Sequence, residues 1–363
     1  MRLSHGIEQE WQVVHPRRLD LLPGARDILQ WLGALAGPNG TRFSREAYPS
    51  QIESRVGVCR SLGELAEELE SSHVALANAA HESGYLLLGC GVNPVGDPTR
   101  ICFGEHHHVG IDSDAEAVAV HNMIRRFCPE LIAMSGNSPL RQGRIARCKS
   151  LRLRDGPFAR PAAPVRVHDL SRVRDRADGR RLFGDANVRY WDVSPFSYLK
   201  GHKRTVEIRL FDMQPDRERS VAYAALLQAL ALKARRESGP ADGWARAGSD
   251  PHYEANRRNA IVRGLDALFE MADAGSCAVC DGQDGPAGTR RISARDRCCA
   301  MMEYVEREID EMGAEAAVAS IRRLLETGKS PADEVMAVFR PGDLRSLTRQ
   351  LGIASALSVG VED

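Results

Sequence analysis

The amino-acid sequence predicts an α+β fold, and three observations lead there. Strand-like alternation of apolar and polar residues dominates the part up to about residue 215. Helical periodicity dominates residues 216–363, and no succession of βαβ units appears. With 363 residues, 43% of them hydrophobic, the chain can bury a substantial core. The expectation is one catalytic domain over 1–363, sheet-bearing in 1–215 and mainly helical in 216–363.

The elements follow in order. Ile7, Gln9, Trp11 and Val13 alternate with Glu8, Glu10 and Gln12, which predicts a strand over Gly6–Val14. A helix over Ala25–Ala36 should stop at Gly37-Pro38. A strand runs near Pro49–Cys59. Ser61, with Glu64 three residues on, reads as a capping box that opens a helix to about Ser83. Tyr85–Cys90 and Ile101–Ile111 read as strands, and Asp114–Ser135 as one long helix. Arg144–Asp178 is Arg-rich and interrupted by Pro157, Pro161 and Pro164, so a long loop is expected. Tyr190–Val193 and Arg204–Asp212 suggest a strand pair. Helices should then cover Asp216–Glu237, Pro251–Ala272, Arg295–Asp310, Ala314–Thr327 and Asp343–Leu351.

Composition narrows the function. Lys plus Arg and Asp plus Glu each total 49, so the net charge is zero and general nucleic-acid binding is not expected. No apolar run reaches the ~18–20 residues that span a bilayer, and membrane partners are not expected either. Charged Glu8 and Glu10 follow the start closely, which predicts no secretory leader. Nine scattered cysteines fit a reducing cytoplasm. Gly-rich phosphate loops of the Walker or Rossmann type are missing from the sequence.

The chemistry lies on alternate strand positions, because side chains at i and i+2 share a face. Glu8 and Glu10 project together, opposite Ile7, Trp11 and Val13. Glu53 and Arg55 share a face against Ile52 and Val56, and His106 and His108 against Ile101, Phe103 and Val109. Glu207 and Arg209 share one against Val206, Ile208 and Leu210. A single charged strand face is ordinary solvated surface; four that mix Glu, His and Arg are harder to explain that way. If they neighbour one another, the carboxylates repel unless a cation compensates them. Carboxylate oxygens with an imidazole suit Mg²⁺ or Mn²⁺. Arg209 and Arg55 would hold phosphate or a substrate carboxylate. These are the parts of a nucleotide-dependent phosphoryl-transfer site.

The same residues resemble a known family. Gly6-Ile7-Glu8-Gln9-Glu10, Gln51-Ile52-Glu53 with Val58-Cys59, and Gly104-Glu105-His106-His107-His108-Val109-Gly110 are similar to strands of the type 2 glutamate–cysteine ligase (carboxylate–amine ligase) family. Ser135-Gly136-Asn137-Ser138-Pro139 with Gly143, Ser150 and Arg152 resembles its next stretch. Thr205-Val206-Glu207-Ile208-Arg209 with Asp212 looks like its T-x-E-x-R-x-x-D strand. Asn256-Arg257 and Arg263-Gly264-Leu265-Asp266-Ala267 look like its helical motif. The matches keep their order over about residues 6–270.

The resemblance implies a glutamine-synthetase-like curved antiparallel sheet with ATP and divalent metal on its charged concave face and helices on the other. It implies an ATP-dependent ligase that forms an amide through an acyl phosphate, with glutamate as the carboxylate and cysteine as the amine. Carried over by position, Glu8, Glu10, Glu53, Glu207 and His106 would be metal ligands, and His106, Arg209, Arg55 and Lys203 nucleotide contacts. Arg209, Arg152 and His108 would serve the reaction itself. A homo-oligomer is also implied. Two departures stand out. Trp191-Asp192-Val193-Ser194-Pro195 has Ser194 where the family pattern has arginine. Basic Lys200, His202, Lys203 and Arg204 follow, either replacing that charge or marking a different substrate. In addition, His107 is polar where the family pattern is apolar.

Two other readings use the same residues: a phosphotransferase acting on a guanidino group or carboxylate, and a non-catalytic nucleotide-binding homologue. Separately, Cys277, Cys280, Cys298 and Cys299 suggest a structural Zn²⁺ site on an inserted loop about 274–299. Cys59, Cys90, Cys102 and Cys128 read as small core residues.

Overall fold

The computed structural model describes residues 3–33, 42–97, 99–156, 192–195, 204–237, 252–272 and 289–353. Its strands are β1 (His5–Val14), β2 (Arg42–Arg45), β3 (Gln51–Arg55), β4 (Leu86–Leu88), β5 (Gly104–Gly110), β6 (Leu140–Arg141), β7 (Arg144–Ile145), β8 (Val193–Ser194), β9 (Thr205–Asp212), β10 (Leu268–Ala272) and β11 (Thr289–Ser293). One antiparallel sheet has the order β2-β3-β1-β5-β9-β8, with β4 also paired to β1. The helices are α1 (Ala25–Leu32), α2 (Leu62–Glu82), α3 (Asp114–Arg126), α4 (Cys128–Ser135), α5 (Leu151–Asp155), α6 (Arg217–Glu237), α7 (Tyr253–Arg263), α8 (Ala294–Tyr304), α9 (Glu306–Met312), α10 (Ala319–Thr327), α11 (Pro331–Val338) and α12 (Arg345–Leu351). The α+β class and the antiparallel sheet are as expected. Among the described residues, no helix is long and apolar enough to cross a membrane.

Apolar burial explains why the helices lie where they do. Val109, Val206, Ile208 and Leu210 of the sheet join one core with α3, α4 and α6. Trp11, Val13 and Ile52 join a second with α1 and α2. Helix α6 is buried on nearly all sides from Ser220 to Ala231, which makes it the central support beneath the strands. Asp216 starts it by accepting the backbone N–H groups of Glu218 and Arg219. At α2, Ser61 accepts the N–H of Glu64 as expected. Glu64 itself reaches back to the N–H of Arg60, one residue beyond a standard capping box.

Several expectations need correction. The long helix from Asp114 breaks at Phe127 into α3 and α4. Pro129 has no N–H to continue the ladder and its ring clashes with the preceding turn. The expected helix Pro251–Ala272 stops at Arg263, where Gly264 takes φ 58° and leads through a short 3₁₀ turn into β10. Asn256 then caps that strand, exchanging two hydrogen bonds with the backbone of Glu270. Strands β2, β10 and β11 and helix α11 were not anticipated. Within the expected Arg144–Asp178 loop, Arg144–Ile145 is strand and Leu151–Asp155 is helix; 157–178 lie outside the described residues.

The described half of the expected zinc site does not assemble. Cys298 is buried in the core with its thiol toward the carbonyl of Glu130, and Cys299 follows it around the same helix. Cys277 and Cys280 lie outside the described residues. Cys59, Cys90, Cys102 and Cys128 are all buried, as expected of core residues.

Candidate active site

Strand pairing decides which charged residues meet. Glu8 of β1 lies opposite Arg55 of β3 on one side and His106 of β5 on the other, and Glu10 lies opposite Glu53. His108 lies opposite Glu207 of β9, which in turn lies opposite Ser194 of β8. The four charged strand faces read from the sequence are therefore neighbours on one surface.

Two candidate ligand sets result. Glu8, His108 and Glu207 bring one carboxylate or imidazole atom each within 4.8 Å of one another, and so do Glu10, Glu46 and Glu53. In the first set, His108 Nε2 stands 3.5 Å from Glu8 Oε2, without hydrogen-bond geometry. Its other nitrogen, Nδ1, is hydrogen-bonded to Thr205 Oγ1 at 3.1 Å, which aims Nε2 into the site. His106 Nδ1 lies 3.7 Å from the same Glu8 oxygen. Burial works against the charge of Glu8, but the close imidazoles of His106 and His108 hold its carboxyl far below the usual range. His106 is itself lowered by burial and by Arg209.

The second set behaves oppositely. Burial, the negative charge of Glu8 and the contact with Glu46 push Glu53 up to about 9, with Arg55 opposing. Such crowding of carboxylates asks for a cation, and hard oxygen ligands with one imidazole fit Mg²⁺ or Mn²⁺. Glu10 has one oxygen committed to the protein, since the N–H of Gly104 donates to its Oε2 at 2.6 Å.

The arginines occupy distinct places. Arg209 Nη1 pairs with Glu207, and its backbone N–H donates to Asp192 O at 2.8 Å. Burial works against its charge, but Glu207, Glu10 and Glu8 keep the guanidinium firmly protonated. Arg152 donates from Nη2 to the carbonyl of Arg209 at 2.9 Å. Its Nε and Nη1 are buried without a hydrogen-bond partner, Nη1 standing 4.0 Å from Asp212 Oδ1. Gly104 makes room for this: a Cβ there would run into the Arg152 guanidinium and into His106 Nε2. Asp212 is buried and accepts from Ser138, Ser150 and the N–H of Asn137. Arg55 lies at the edge of the site, its Nε 3.0 Å from Glu53 and its Nη2 donating to Ser44. Lys203 lies outside the described residues.

Glu46 is the site residue the sequence reading missed. It sits in the β2–β3 hairpin, where its N–H donates to Gln51 O. Ser44 lies opposite Glu53, and Glu46, two residues after Ser44, shares that face. The turn at Tyr48-Pro49-Ser50 was the available signal. The back of β5 also differs from expectation: Glu105 and His107, not apolar residues, face the buried side, both fully enclosed.

Comparison with known proteins is consistent with this layout. The model of glutamate–cysteine ligase family 2 matches residues 4–102 and 95–350. A Rubrobacter xylanophilus protein provisionally named glutamate–cysteine ligase 2-3 is 28% identical over 379 residues, covering 97% of this chain and 96% of that protein. A Roseiflexus protein provisionally named glutamate–cysteine ligase 2 is 25% identical over 382 residues, covering 95% and 93%. The crystal structure of the prokaryotic ubiquitin-like protein Pup with its ligase PafA has a chain of the same fold, with a TM-score of 0.58 and 13% identity. That match covers 99% of this chain and 76% of the other.

Proposed function

The chain belongs to glutamate–cysteine ligase family 2, and from that membership and the site's chemistry we propose a ligase that uses ATP and a divalent metal to join glutamate to an amine, cysteine first among candidates. The observation that supports it best is the pair of ligand sets, Glu8/His108/Glu207 and Glu10/Glu46/Glu53, on one surface beside Arg209 and Arg152. Each set would hold one Mg²⁺ or Mn²⁺, which when bound neutralises the crowded carboxylates and the phosphates of ATP. His106, beside Glu8 of the first set, contacts metal or nucleotide. Arg209, Arg55 and Lys203 contact the nucleotide. Arg152, with two buried donors unused, receives a phosphate oxygen or the substrate carboxylate.

In this reading a substrate carboxylate oxygen attacks the γ-phosphorus, the β–γ P–O bond breaks and ADP departs. The amine nitrogen then attacks the acyl carbon, the C–O bond to phosphate breaks, and the nitrogen gives up a proton. Arg209 and Arg152 offset negative charge on the transferring phosphoryl group. We take 1–363 as one catalytic domain, because α6 from the helical part packs beneath β5.

Ser194 favours a second reading, a ligase for an amine other than cysteine, since no guanidinium extends from this position opposite Glu207. The chemistry is tested with glutamate carrying ¹⁸O in its γ-carboxylate. One ¹⁸O per released phosphate is expected; phosphate without label would rule out the acyl-phosphate route.

A further inference from the structure

The site face has a counterpart on the buried side of the same strands. Because alternate side chains point to opposite faces, Gln9 lies behind Glu8 and Glu10, and Glu105 and His107 lie behind His106 and His108. These three are completely enclosed, among Ile7, Trp11, Val109 and Ile208. Polar groups in such surroundings cost free energy unless they are hydrogen-bonded, and here they bond to one another.

The bonds form a continuous chain. Glu105 accepts from His107 Nε2 at 2.9 Å, from Gln9 Nε2 at 2.8 Å and from Ser220 Oγ at 2.7 Å. His107 Nδ1 lies 3.0 Å from His5 Nε2, and Gln9 Oε1 lies 2.8 Å from His73 Nε2. Gln9–Glu105 and His5–His107 are thus two side-chain bridges between β1 and β5. Ser220 ties them to α6 and His73 to α2.

The need for bridges is local. Pairing of β5 with β9 shifts register between Glu105 and His107, so that Arg209 and Leu210 together face His106. A bulge leaves the ladder locally unpaired and free to bend. The Glu105–His107 bond spans this irregularity from behind. We propose that Glu105, His107 and His5, with Gln9, Ser220 and His73, are positioning residues. They clamp β1 to β5 along the edge of β5 that faces away from the β5–β9 bulge, and so set the spacing of Glu8, Glu10, His106 and His108 on the opposite face. The inference rests on the metal-ligand reading of that face.

The test is Mn²⁺ titration of the purified protein, read by the loss of free-ion electron paramagnetic resonance signal, with thermal melting alongside. E105L/H107L removes the buried polar pair and leaves Gln9, Ser220 and His5 without these partners, so it should melt below the wild type. Where it folds, it should bind Mn²⁺ at least ~tenfold more weakly, the usual penalty for losing ligand support. E105Q keeps an acceptor for Gln9 and Ser220 and a partner for His107, and should bind within about threefold of the wild type. A folded E105L/H107L with wild-type Mn²⁺ affinity would overturn the inference, as would an E105Q that loses affinity as fully as the double variant. If the double variant does not fold, S220A decides, because α6 carries none of the proposed ligands. Weaker Mn²⁺ binding supports the clamp, and unchanged binding overturns it. Wild-type protein that binds no Mn²⁺ would instead sink the metal-ligand reading itself.

Discussion

His73 shows how a single buried residue ties stability to pH. Burial, with Arg217 nearby, lowers its pKa from 6.5 to about 4. Between those values the unfolded chain holds a proton that the folded one lacks, so folding stability is complete above pH 6.5 and declines as pH falls toward 4. At pH 5 the loss from this group is about 2 kcal/mol, at 1.36 kcal/mol per pH unit. His73→Gln should therefore lose about 2 kcal/mol less than the wild type between pH 7 and pH 5, measured by urea denaturation. Parallel losses would show that His73 does not carry this slope. At the same scale, the pairs Glu8/Glu10, Glu53/Arg55, His106/His108 and Glu207/Arg209 were legible because a strand's period is two. Glu46 was not, since it reaches the site through a hairpin that local periodicity does not announce. His107 was noticed only as an unusual polar residue; its value lies in partners 102 and two positions away, which no window reveals.

At the scale of elements, strand β8 is held by one buried ion pair. Arg257 of α7 forks onto Asp192, Nε at 2.5 Å and Nη2 at 2.8 Å, and both residues are buried. Asp192 in turn accepts the backbone N–H of Arg209, so α7 steadies the strand that carries the central arginine. Arg257→Met should cost about 3–5 kcal/mol, because it leaves a buried carboxylate uncompensated. Adding Asp192→Asn should recover part of that loss in the denaturation midpoint; strictly additive losses would refute the coupling. Helix and strand cores were readable wherever periodicity ran unbroken, as in α2 and α6. The failures came where one residue overrides the period: Pro129 splits a helix, and Gly264 turns another into a strand connection. Strand β10 is read as a helix end because its apolar content suits a helix equally well, and β11 falls in the expected inserted loop; only their pairing with each other decides.

For the whole molecule, one sheet brings residues separated by about two hundred positions onto a single face, from Glu8 to Arg209, while α6 supports it from behind. That arrangement, rather than any local motif, is what turns four unremarkable charged strands into two cation-ready clusters. The family match extends over residues 4–102 and 95–350, so it takes in the helical part as well as the sheet. The most direct test is phosphate release from Mg²⁺-ATP with glutamate present, across a panel of amines that includes cysteine. A ligase of this kind should show release that depends on one amine, yields the corresponding amide by mass spectrometry, and falls at least ~10³-fold in Glu8→Ala, as expected when a ligand to the phosphate-bound metal is lost. Amine-independent release with a stable phosphorylated product, or no release with any amine while ATP still binds, would contradict it.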